Sequence, residues 1–225
     1  MKKEAEKKTA SAKMNSFLEK HRKGIIAAFI VILVALIGFI VFSTIKSSNT
    51  EKMLAEIETI SYELTKDSKD LSEDDLNARC KDALAKLETL NTKGGITGIR
   101  ANLLSAELAY YSKDYSSAAK FWEAAASKNA KAYTTPIAYY QQGVCYEQLN
   151  DFSKAADCYK AAAENKTFYL HPHAAFSYGR VLESQGNYSA AVEVYQSLVA
   201  DYESDSWADL AKTRILSLQI EGKAE

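Results

Sequence analysis

The chain has 225 residues, 47% of them hydrophobic and 25% charged, with a formal net charge of −1. That is length enough for one domain with a real core. Two prolines and nine glycines, beside many Ala, Leu, Glu, Lys and Tyr, predict mostly helix and exclude a sheet-rich fold.

Residues 1–23 form a basic leader. Lys2, Lys3, Lys7, Lys8, Lys13, Lys20, Arg22 and Lys23 outweigh Glu4, Glu6 and Glu19, a formal +5. The rest of the chain therefore carries −6, and a mildly acidic domain argues against a nucleic-acid partner. Topology and attraction to anionic headgroups account for the leader. Its first 16 residues are small and charged, read as disordered or interfacial, with helix from Ser16 onward.

Ile25 to Phe42 are eighteen consecutive apolar residues with no charge among them. As a helix they reach about 27 Å, close to the roughly 30 Å hydrocarbon core of a bilayer. Residues 24–45 are therefore read as a transmembrane helix. By the excess of Lys and Arg before it, the amino terminus stays in the cytoplasm and residues 46–225 lie outside. A cleaved signal peptide ending near Val41-Phe42-Ser43 is the rival, but the leader is long and the apolar core exceeds the usual about 7–15 residues.

Ser47-Ser48-Asn49-Thr50 reads as a polar break. Met53, Leu54, Ile57, Ile60, Tyr62 and Leu64 then recur at near-helical spacing, giving a helix over 50–65. Ser72 and Asp75 mark an N-cap with an acidic first turn for a second helix, which runs to about Leu90 and stops at Lys93-Gly94-Gly95. Residues 46–95 thus form one helical hairpin.

From there the chain repeats. Lys113-Asp114-Tyr115, Asn150-Asp151-Phe152 and Gly186-Asn187-Tyr188 each open a segment with an aromatic, an alanine three residues on, and another aromatic four further. The alanines are Ala118, Ala155 and Ala191; the second aromatics are Trp122, Tyr159 and Tyr195. Upstream of each turn stands a small residue, Ala106, Gly143 or Gly179. Two antiparallel helices pack closely only where small side chains meet at the crossing. One such hairpin cannot bury its own apolar face, so hairpins must stack.

At these residues the chain resembles the tetratricopeptide repeat family. The likeness covers residues 99–205, and three repeats are placed within 96–203. The middle one is the most complete, with Tyr139, Gly143, Tyr146, Ala155, Tyr159 and Ala162 in the signature positions. The first departs at Asn102 and Ala109, the third at Ala175, Leu182 and Leu198. The resemblance implies an all-α, right-handed solenoid of stacked hairpins, with residues 204–225 as a cap helix and tail. It also implies a concave face lined by the first helix of each hairpin. Carried over, that face holds Arg100, Leu103, Glu107, Tyr110 and Tyr111; Ile137, Tyr140, Val144, Glu147 and Gln148; His173, Phe176, Arg180, Glu183 and Ser184. It lacks the Lys/Asn/Arg clamp some members use on a partner's terminal carboxylate. A tyrosine-rich apolar concavity suits an extended peptide or a partner helix. The alternative is that the 50–90 hairpin or the cap helix covers it.

No pattern points to catalysis, a metal or a cofactor. There is no phosphate loop, no Ser/His/Asp arrangement and no H-E-x-x-H. His171 and His173 flank Pro172, where a surface turn explains them better than a metal pair. Cys80, Cys145 and Cys158 read as small buried hydrophobes, with a Cys145–Cys158 bond left open.

The layout of basic leader, single span and outer repeat domain resembles the ancillary subunits of the bacterial secretion translocon. That likeness implies an inner-membrane protein whose partners are translocon subunits, a periplasmic foldase or exported chains. A structural scaffold for another envelope complex, in cell division or outer-membrane assembly, is the alternative.

Overall fold

The computed structural model describes residues 2–166 and 168–224, apart from the side chains of 2–13, 16, 25, 26, 28 and 70. They fall into two units, Met1–Lys52 and Met53–Glu225. Among the described residues every regular element is helical, in line with the expected all-α class.

The first unit belongs to one long helix, α1 (Lys2–Thr65), so the backbone is helical from Lys2 rather than disordered. The polar break expected at Ser47–Thr50 is absent. Thr44 and Thr50 turn their hydroxyls back to the carbonyl oxygens of Ile40 and Lys46, each at 2.9 Å. The hydroxyls find partners within the helix and leave its ladder intact. From Phe29 to Phe42 every side chain is exposed, and the most apolar window has a mean hydropathy of 2.6. One helix is thus long and apolar enough to cross a membrane.

The second unit begins with the end of α1. After a 3-10 turn at Ser68–Asp70 come α2 (Glu73–Asn91), α3 (Gly95–Tyr111), α4 (Tyr115–Ser127), α5 (Thr135–Gln148), α6 (Phe152–Ala163), α7 (His171–Ser184), α8 (Tyr188–Asp201) and α9 (Ser206–Ile220). From α2 onward each helix packs chiefly on the next, the nearest-neighbour pattern of a solenoid. Ser72 caps α2 as expected, its hydroxyl accepting from the Asp75 amide at 3.2 Å. Arg79 reaches back to the carbonyl oxygens of Glu63 and Lys66 and caps the end of α1. The first hairpin packs through long side chains, with Ile57, Ile60, Leu87 and Leu90 at its centre.

The three later hairpins pack through small ones. Ala106, Gly143 and Gly179 on α3, α5 and α7 are buried, as are Ala118, Ala155 and Ala191 on α4, α6 and α8. Trp122, Tyr159 and Tyr195 lie beside them in the interior. Each hairpin turns in the same way. The amides of Asp114, Asp151 and Asn187 bond the carbonyls of Ala109, Tyr146 and Leu182, all at 2.9 Å. That bond, five residues back, needs a left-handed residue just before the donor. Lys113, Asn150 and Gly186 take that role with φ of 60°, 57° and 77°.

Glycine and asparagine tolerate that conformation, whereas lysine is strained by its Cβ. Lys113→Gly is therefore expected to stabilise the domain by about 1 kcal/mol, read as a raised urea midpoint of the full chain. An unchanged or lowered midpoint would contradict the turn geometry.

Candidate protein-binding groove

The expected groove residues do not form one uniform surface. Over α5 and α7 they are occupied with one another. Tyr140 is only 9% exposed, and its hydroxyl lies 2.9 Å from His173 Nε2. The His173 ring stacks on Trp207 of α9, centroids 3.8 Å apart and planes 10° from parallel. Phe176 packs between Tyr195 and Trp207. His173 therefore lies in an aromatic column and His171 is buried against Tyr202, which corrects the surface-turn reading of both.

The charges in this half are also neutralised. Arg180 holds Glu147 with two bonds, Nη1 to Oε1 at 2.6 Å and Nη2 to Oε2 at 2.7 Å. The hydroxyl of Tyr159 donates to the same carboxylate at 2.5 Å. One repeat on, Tyr195 donates to Glu183 at 2.6 Å, and Arg214 of α9 closes on that carboxylate through Nε and Nη2. Both carboxylates are largely buried, with side chains 15% and 9% exposed. Paired and hydrogen-bonded this way, each ties a second helix to the first helix of its own hairpin and of the next.

The corresponding positions at the first junction are Trp122, Tyr110 and Val144, so this junction has neither the carboxylate nor the guanidinium. Trp122 is 5% exposed and its indole N–H has no acceptor among the described residues. Around it the face is open and apolar. Leu103, Ile137 and Val144 are half-buried, Tyr110 stands edge-on to Tyr115 at 5.2 Å, and Tyr111 is 83% exposed. Arg100 is tied to Glu58 of α1 at 2.8 Å. Glu107 has no ion pair or hydrogen bond among the described residues; it is exposed, and desolvation by the side chains crowding it raises its carboxyl above the usual range. Gln148 and Ser184 are exposed, at the rim.

Trp207 and Arg214 escaped the carry-over because it ended with the third unit. Their signal is the spacing, 34 residues beyond His173 and Arg180 respectively. On that register α9 stands as the first helix of a further unit, contributing to the concave face and not merely closing the end.

A profile of the tetratricopeptide repeat family matches residues 103–167 and, overlapping them, 140–206. The repeat region belongs to the tetratricopeptide repeat family. No curated protein matches the chain. Such repeats are interaction scaffolds that bind proteins or peptides. Among the described residues no group of three His, Cys, Asp or Glu is placed to hold a metal ion.

The interior of the tetratricopeptide domain sets its pH range. All three cysteines are free. Burial pushes the Cys145 thiol up to about 11 and the Cys158 thiol up to about 12. The phenols of Tyr159 and Tyr195 are raised by burial first and by their glutamate bonds second. Acids whose folded pKa is raised stabilise fully below the unfolded value and lose that contribution as pH climbs. Stability should therefore begin to fall above about pH 8.5 and lose on the order of 4 kcal/mol by pH 10. Urea melts at pH 8 and pH 10 check this, and equal midpoints would contradict it.

Proposed function

We propose that the chain is a non-catalytic, membrane-anchored protein-interaction module of the bacterial inner membrane. Residues 24–45 cross the bilayer, the basic leader stays in the cytoplasm, and the repeat domain works on the outer face. There it assists secretion or folding of exported proteins beside the translocon. Two features support the anchor, the uninterrupted apolar helix and the +5 leader before it. The observation that carries the interaction role is the open aromatic face of Leu103, Tyr110, Tyr111, Ile137 and Val144 on a tetratricopeptide scaffold.

The test is photocrosslinking in intact bacteria from a reactive residue at Tyr111, with the products identified by mass spectrometry. Adducts to translocon subunits, a periplasmic foldase or many exported chains are expected. One discrete adduct to another envelope protein would replace this reading with that of a structural scaffold.

A further inference from the structure

Position by position, the concave face balances its own charge except at one place. Arg100 pairs with Glu58, Arg180 with Glu147, and Arg214 with Glu183. Glu107 is the one charged residue of the groove without a counter-ion among the described residues, and it stands exposed on that face. Its place in the repeat does not require it. The equivalent residues on the next three first helices are Val144, Arg180 and Arg214. The neighbours on its own face, one turn away on either side, are Leu103, Tyr110 and Tyr111. Beneath them the Trp122 N–H lacks the carboxylate that accepts the phenols of Tyr159 and Tyr195 in the later repeats.

Resting on the interaction role argued above, we propose that the α3–α5 half-groove selects a partner segment bearing a lysine or arginine among apolar residues, its cation pairing with Glu107. The flanking aliphatic and aromatic side chains take the apolar neighbours. An acidic segment would bring its charge against an unpaired carboxylate and is disfavoured. The acidity of the chain beyond its leader steers the same class of partner towards the domain.

The experiment uses the full chain in lipid nanodiscs and three fluorescein-labelled nine-residue peptides. All share leucine and tyrosine flanks, and the central residue is lysine, norleucine or glutamate. Fluorescence anisotropy at about 50 mM and 300 mM salt should show the lysine peptide binding about tenfold tighter than the norleucine peptide at low salt, with the margin shrinking at high salt. The glutamate peptide should bind weakest. Glu107→Gln should bring the lysine peptide to the level of the norleucine peptide and leave the latter unchanged. Glu107→Lys should invert the order of lysine and glutamate. Both substitutions fall at an exposed, unpartnered side chain, and unchanged circular dichroism melts would show that the fold is retained. Equal binding of all three peptides to the unmodified chain would overturn the cation preference while leaving the groove as an interaction surface. Absence of binding by every peptide would overturn both.

Discussion

Gly179→Ala should destabilise the repeat domain by about 1–3 kcal/mol, although it adds a single methyl group. A Cβ at residue 179 would stand 2.4 Å from Cε1 of Tyr195 and 2.8 Å from its Cζ. The ring has no room to retreat. It is fully buried, and its hydroxyl is held by Glu183 at 2.6 Å. Either the Tyr195 bond is given up or α7 and α8 move apart, and both disturb a packed interior. Gly143→Ala should cost less, because the nearest atoms of Tyr159 lie at 2.9 Å. Gly143→Leu should cost more than Gly143→Ala. Gly94→Ala serves as the control, since nothing lies within 4 Å of the added carbon. Urea midpoints should be highest for Gly94→Ala, lower for Gly143→Ala, and lower still for Gly143→Leu and for Gly179→Ala. A Gly179→Ala midpoint equal to that of Gly94→Ala would show that the hairpin crossing is mis-registered.

Glu183→Ala should cost about 2–4 kcal/mol, more than any surface charge in the domain. The carboxylate serves two groups at once, the buried Tyr195 hydroxyl and the Arg214 guanidinium. Its removal leaves a buried donor with no acceptor and a part-desolvated cation with no counter-ion. Arg214→Ala should cost somewhat less, about 1–3 kcal/mol: it leaves the 9%-exposed Glu183 carboxylate without its counter-ion, but the Tyr195 hydroxyl still donates to it. The two should not add, since both break one pair. The loss should also be local. Hydrogen exchange should quicken over α9, which this junction ties to α7 and α8, while α3 and α4 keep their protection. Uniform exchange across the domain would mean that Glu183 supports global stability and not this one junction.

Much of this architecture was legible because its determinants are local and recur. The alternation of turn, aromatic, small residue and aromatic at steps of 37 and 36 residues identifies the hairpins. Ala118, Ala155 and Ala191 are buried at the crossings for the reason their size implies. What misled was composition taken for conformation. Ser47-Ser48-Asn49-Thr50 looks like a break, yet hydroxyls that bond four residues back leave a helix intact. The groove was legible only as a set of positions. Whether Tyr140 or Phe176 is free depends on which side chains reach them: His173 comes to Tyr140 from another helix, and Tyr195 and Trp207 come to Phe176 from two others. Pairings such as Glu147 with Arg180 span 33 residues and follow no local rule. They become readable once α9 is aligned as a further first helix, which places Arg214 where Arg180 stands.

The division of the concave face into an open half and a self-filled half is tested most directly by placing one photoreactive residue at a time in living bacteria. Leu103, Tyr111 and Val144 represent the open half, and His173 and Phe176 the filled one. Adducts to other proteins from the first three, with none from the last two, are the predicted result. Adducts from His173 or Phe176 with none from Tyr111 would place the contact surface beside α9 and contradict the account.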